Sequence, residues 1–202
     1  MAHREEGLYR MTDITPLRDF IRDMTRLANE EAGEARWLTE GAALLRRLVA
    51  TDAWLPEAYA EAGPRYRQYL LHCDPLERFC VVSFVWGPGQ KTPIHDHTTW
   101  GLIGMLRGAE VSHGFEMAGG KPQPTDSERL EPGDVAMVSP HIGDVHQVAN
   151  AFDDQVSISI HVYGGDIGAI ERHVFAAETG EPKNFISGYS NTTLPHLWGR
   201  AP

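Results

Sequence analysis

From Phe79 to Tyr163 the chain consists of short apolar or alternating runs cut apart by Gly, Pro and Asp, and this punctuation restricts that stretch to an all-β barrel or sandwich. The runs are Phe79 to Trp86, Gly101 to Leu106, Ala109 to Phe115, Val135 to Val138, Val145 to Val148 and Val156 to Tyr163. Closure into a barrel is how such a sheet avoids exposed edges. Gly119-Gly120-Lys121-Pro122-Gln123-Pro124 reads as a turn-rich loop, Ile167 to Ala177 fits strand or helix, and the tail from Glu181 onward shows no clear period.

The N-terminal third has a different grammar. After Thr15, an N-cap candidate, Pro16 suits the first helical position, and Leu17, Phe20, Ile21, Met24, Leu27 and Ala28 recur at helical spacing before Gly33. Trp37, Leu38, Leu44, Leu45, Leu48 and Val49 repeat the pattern, and a shorter helix is expected from Asp52 towards Ala62, ended by Gly63-Pro64. These helices are expected to cover one end or edge of the β region. The expected organisation is a single domain over 1–202, with a helical part over about 1–65, a metal-binding β-barrel over about 66–175 and a tail over 176–202.

Lys and Arg number 18 against 28 Asp and Glu, a formal charge of −10 that repels phosphate backbones and anionic lipid. No nucleic-acid or membrane partner is therefore expected. No apolar run approaches the roughly 20 residues of a membrane span, and Met1-Ala2-His3-Arg4-Glu5-Glu6 leads into no signal-type core, so the expected location is cytoplasmic. Cys73 and Cys80 are too few for a disulfide framework and read as thiols.

Ten histidines stand against those two cysteines, and their spacing carries the chemistry. The first block is Gly89-x5-His95-Asp96-His97-x3-Gly101-x6-Gly108. On an extended strand residues two apart face the same side, so His95 and His97 would aim both imidazoles at one point. The second block, Pro140-His141-Ile142-Gly143-Asp144-Val145-His146-Gln147-Val148-Ala149-Asn150, offers His146 as a third nitrogen from a neighbouring strand, with His141 as its competitor. Three neutral imidazoles leave a dication's charge uncompensated, which favours an anionic ligand such as a thiolate. Zn(II) on the same nitrogens would make a hydrolytic site instead. Glu110 would restore a carboxylate only by reaching back past Gly108. Val156-Ser157-Ile158-Ser159-Ile160-His161-Val162-Tyr163 alternates an apolar face with a face of Ser, Ser, His and Tyr, which reads either as a solvated face or as a hydrogen-bonded relay inside a barrel.

The two histidine blocks resemble the paired motifs of the cupin superfamily, whose fold is a mainly β double-stranded β-helix, or jelly-roll barrel, holding one metal; here it would carry N-terminal α-helices. Gly101 stands where most cupins place a metal-binding glutamate, and Pro140 lies one residue too far from Gly143. Ser159-x-His161-x-Tyr163 resembles the triad of the thiol dioxygenases of the cysteine dioxygenase type I family. That resemblance runs from about Tyr66 to Arg172. It implies Fe(II) on His95, His97 and His146, a catalytic relay of Ser159, His161 and Tyr163, and a small thiol and O2 as partners. In animal cysteine dioxygenases a cysteine near the metal is cross-linked to the tyrosine; Gly101 takes that cysteine's place, which implies no cross-link, and Cys80 reads as a small buried hydrophobe.

The arginine that cysteine enzymes place near Tyr66-Arg67-Gln68-Tyr69-Leu70 is matched by Gln68, and Arg172 with Gln68 resembles the carboxylate-binding pair of bacterial 3-mercaptopropionate dioxygenases. The implied reaction is oxidation of 3-mercaptopropionate by O2 to 3-sulfinopropionate. Oxidation of L-cysteine, a non-redox Zn(II) or Mn(II) cupin and a binding module without turnover stay open as alternatives, as does a surface position for Arg172 beside Glu171. His113 is expected on an outward-facing strand, His141 and His173 without a same-face partner, and His3, His72 and His196 in solvent. Oligomeric state is not legible.

Overall fold

A computed structural model describes residues 12–198; His3 lies outside the described residues. The strand with the alternating face explains the architecture. Its seven residues Ser157–Tyr163 (β9) are all buried, on both faces. It lies in the middle of a five-stranded antiparallel sheet ordered β1 (Arg67–Cys73), β2 (Cys80–Trp86), β9, β4 (Gly101–Arg107), β7 (Val135–Val138). Ile158, Ile160 and Val162 pack in one apolar cluster with Leu17, Met24, Leu45 and Val49 of the N-terminal helices, while Ser159, His161 and Tyr163 turn inward. A solvated face is thereby excluded.

The helices lie on the outer face of this sheet rather than at an end or edge. Helix α1 (Thr15–Asn29) buries every one of its periodic apolar residues. The second helical run passes from α2 (Glu34–Arg36) through a π-type turn (Trp37–Gly41) into α3 (Ala42–Val49). Gly104 of β4 permits the close approach of α3, since a Cβ there would meet Leu45 and Val49 side chains at 2.9 Å. Three local expectations need correction. Thr15 is the first residue of α1 and Ile14 stands at the N-cap; the Thr15 N–H donates to the Asp13 carboxylate at 3.0 Å, so Asp13 takes up one of the helix's free N–H groups. The helix expected after Asp52 is one short turn, Glu57–Tyr59. The loop at 119–124 is only the Gly119-Gly120 turn, after which Lys121–Leu130 (β6) is a strand that tolerates Pro122 and Pro124 because it is an edge.

The second sheet has six antiparallel strands ordered β11 (Pro182–Phe185), β10 (Arg172–Phe175), β3 (Ile94–His95), β8 (His146–Asn150), β5 (Glu110–Ala118), β6. The tail thus continues the barrel through β11, and Ile167 to Ala177 resolves into a turn followed by β10. Two facing antiparallel sheets with helices before them make the mainly β cupin fold that the motifs imply. Among the described residues no helix is long and apolar enough to cross a membrane.

Candidate metal centre

His95 ends β3, where it pairs with His146 of β8. His97 lies beyond the strand, so the period-two argument does not place it. Asp144 does: both carboxylate oxygens accept the His97 backbone N–H at 3.0 Å, and one accepts that of Thr98 at 3.0 Å. Thr98 has φ 58°, and this left-handed residue lets consecutive N–H groups converge on one anion. The Asp144 carboxylate also takes the His97 Nδ1–H at 2.8 Å.

The three rings then form a near-equilateral triangle, with centroids 4.9, 4.8 and 4.9 Å apart. One nitrogen of each ring lies within 4.8 Å of the others. Every Nδ1 has an outer partner: Pro93 O at 3.1 Å for His95, Asp144 at 2.8 Å for His97 and Ser112 Oγ at 3.0 Å for His146. Such partners fix the tautomer and leave Nε2 as the free lone pair. Burial and the neighbouring His97 push the pKa of His95 down to about 3, and burial drives His146 well below its ordinary value, so both bind as neutral donors. Three neutral, pre-oriented nitrogens fit a divalent transition metal. Glu110 is not among them, and His141 is exposed against Glu34, which removes it as a rival to His146.

Behind the metal group stands a buried chain of hydrogen bonds. Ser159 Oγ lies 2.8 Å from His161 Nε2, and His161 Nδ1 lies 2.8 Å from the Tyr163 hydroxyl. Phe84 stacks on His161 at 4.1 Å and Tyr163 stacks on His97 at 5.3 Å, which holds both rings in place. Gly101 is required beside Tyr163, because a Cβ there would meet its ring at 2.9 Å. Cys80 is the cross-strand neighbour of Tyr163 on the other side; burial pushes its thiol up to about 12, consistent with a small core residue. The chain continues past Ser159, which donates to Glu110 at 2.7 Å and accepts the Trp86 indole N–H at 3.0 Å.

Glu110 is 1% exposed, and burial pushes its pKa from 4.5 up to about 7 against the pull of its hydrogen bonds. A carboxyl whose folded pKa exceeds its unfolded value stabilises the fold fully below pH 4.5 and loses that contribution as pH rises through about 7. At about 1.4 kcal/mol per pH unit the loss is about 3 kcal/mol. Glu110→Gln is therefore expected to match the native chain in urea melts at pH 4 and to exceed it by about 3 kcal/mol at pH 8. An equal gap at both pH values would contradict the assignment.

A cavity of about 190 Å³ opens on the triangle and is also lined by Tyr66, Gln68, Trp86, Tyr163, Arg172 and Phe185. Arg172 is 4% exposed, which excludes the surface position. Its guanidinium lies over Phe185 at 4.5 Å and donates to Ser187 Oγ at 2.7 Å, both supplied by the tail. The tail also clips Gln68, whose N–H donates to Ser190 Oγ at 3.1 Å and whose carbonyl accepts from Ser190 at 2.7 Å. Arg172 Nε and Gln68 Oε1 are buried with no hydrogen-bond partner among the described residues. His173 does have a partner: Asp96 accepts its N–H and holds its Nδ1, each at 2.8 Å, tying the metal loop to the strand of Arg172. His72 is half-buried against Phe79, not solvent-exposed, whereas His196 is exposed.

A family model described as cysteine dioxygenase type I matches residues 59–174. Solved structures similar to the chain include an uncharacterized conserved protein with a double-stranded β-helix domain from Klebsiella pneumoniae, at 16% identity over 65% of this chain and 92% of that one, TM-score 0.44. Others are a Thermus thermophilus protein (19%, 54% and 92%, TM-score 0.43) and a cupin superfamily protein from Desulfitobacterium hafniense (17%, 52% and 83%, TM-score 0.41).

Proposed function

The chain belongs to the cysteine dioxygenase type I family, and on that premise we propose that it is an iron(II) thiol dioxygenase whose substrate is 3-mercaptopropionate. The overall change is a thiol plus O2 to a sulfinate plus a proton, with both oxygen atoms retained on sulfur. When bound by His95, His97 and His146, Fe(II) supplies the Lewis acidity that keeps sulfur as thiolate and the redox capacity for reaction with O2. The single observation that carries the substrate choice is the buried, orphaned Nε–H of Arg172, a residue that lines the cavity together with the three histidines. Buried polar atoms are costly without partners, and a carboxylate satisfies a guanidinium by two parallel bonds. The Gln68 amide completes the clamp in the orientation that turns its NH2 to the acid, an orientation set by the ligand.

The residues of the chain divide the remaining work. Arg172 and Gln68 hold the acid end, so that the sulfur of a three-carbon chain reaches the triangle. Trp86, Phe84, Val148 and Phe185 exclude water from the cavity. His161 aims the Tyr163 hydroxyl, buried beside His97, at the space next to the metal group. Cysteine would bring an α-ammonium, and no carboxylate lines the described wall of the cavity to receive it. Specificity constants measured by oxygen uptake for 3-mercaptopropionate, L-cysteine and cysteamine test the reading. The expected order has 3-mercaptopropionate ahead by at least about tenfold, the value of one unpaired buried charge at the low end; preference for cysteine would replace this substrate with the amino acid.

A further inference from the structure

The buried carboxyl of Glu110 sits at the far end of the relay, and proton counting along that relay gives it a consequence. Ser159 Oγ has one proton and two lone pairs, a neutral imidazole has one N–H, and the Trp86 indole can only donate. With Glu110 as carboxylate, the Ser159 proton goes to Glu110, so the free lone pair on Oγ takes the His161 Nε2–H. His161 Nδ1 is then bare, the Tyr163 O–H must point to it, and the phenol oxygen offers the cavity only lone pairs. With Glu110 as carboxylic acid the three relay bonds reverse, while the Trp86 indole still donates to Ser159. Glu110 donates to Ser159, Ser159 to His161 Nε2 and His161 Nδ1–H to the Tyr163 oxygen, which frees the Tyr163 O–H to point into the cavity. Both patterns keep all three links of the relay without moving a heavy atom.

We propose that Glu110 is a positioning residue whose proton sets the direction of the Ser159–His161–Tyr163 relay, making Tyr163 a donor to the cavity when Glu110 is an acid and an acceptor when it is a carboxylate. The acid pattern is also a stored proton. If Tyr163 gives its proton to a group in the cavity, one proton shifts along each link, from His161 Nδ1 to Tyr163, from Ser159 to His161 Nε2 and from Glu110 to Ser159. The result is the carboxylate pattern with no charge left on Ser159, His161 or Tyr163. The consequence for turnover rests on the thiol dioxygenase reading; the reversal itself does not.

The surroundings support a reversal near neutrality. Burial pushes the pKa of Glu110 up to about 7. The titratable groups facing it are His161 and Tyr163 of β9, which burial keeps uncharged by lowering the one and raising the other. From the other elements packed around it, Trp86 of β2, Met105 beside Ser159 on β4, Leu130 of β6 and Asn150 of β8 bring no charge.

Nitrogen-15 histidine NMR of the full chain loaded with zinc, a diamagnetic occupant, reads the His161 tautomer directly between pH 5.5 and 9. The expected result is Nε2–H at high pH changing to Nδ1–H at low pH, with a midpoint within about one unit of 7. Glu110→Gln is expected to hold one tautomer throughout. Ser159→Ala, which keeps Glu110 but cuts the link, is expected to abolish the change as well, so a folding failure of one variant leaves the other as the test. A fixed tautomer in the native chain, or the same change in either variant, would overturn the proposal. In the iron-loaded protein the pH profile of kcat should lose its inflection near 7 in Glu110→Gln. Tautomer reversal without any thiol oxidation would sink the functional reading and leave the relay switch standing.

Discussion

His146→Ala is expected to weaken Fe(II) binding by about two to three orders of magnitude and to take oxygen uptake below detection. A four-ligand zinc site gains upwards of about 10 kcal/mol in all, or about 3 kcal/mol per ligand, and here each imidazole is one of only three protein donors. The outer carboxylate is worth less: Asp144→Ala should cost about ten- to a hundredfold in affinity, because His97 keeps its nitrogen but loses its orienting bond and the backbone clamp at His97 and Thr98. Anaerobic titration against a competing chelator ranks the two. A His146 variant that binds iron as the native chain does would remove that residue from the ligand set.

Arg172→Met should lower kcat/KM for 3-mercaptopropionate by about a hundred- to a thousandfold, since a buried bidentate ion pair carries about 3–4 kcal/mol and methionine keeps length without charge. The same variant should handle a thiol lacking a carboxylate, such as ethanethiol, within about threefold of the native enzyme. Steady-state oxygen uptake with both thiols separates binding from folding. Equal losses on both would mean that Arg172, stacked on Phe185 and bonded to Ser187, acts through the structure of the tail rather than on substrate.

The residues that were legible in the sequence are those whose signal is local. His95, His97 and His146 announce themselves by spacing against glycines, and Ser159, His161 and Tyr163 by strict alternation along one strand. What holds them comes from elsewhere in the chain. Asp144 lies two residues from His146 yet serves His97, a pairing that only the approach of β8 to the metal loop creates. Ser187 and Phe185, which fix Arg172, come from a tail whose short strand carries no period long enough to read. Glu110 is visible as the acid just beyond the first motif, but nothing local tells whether strand β5 turns it toward the metal or toward Ser159; the register with β8 and β6 decides that. The helices were legible as amphipathic, whereas their seat on the sheet face required knowing that β9 is central and buried on both sides.

Three neutral imidazoles holding a ferrous ion that oxidises a thiol is the claim on which the rest depends. Mass spectrometry of the product made by anaerobically iron-loaded protein from 3-mercaptopropionate and isotopically labelled dioxygen tests it most directly. The account predicts 3-sulfinopropionate carrying two labelled oxygen atoms, one product formed for each O2 consumed. Disulfide as the sole product, a sulfinate labelled from water, or no oxygen uptake by fully loaded protein would contradict it.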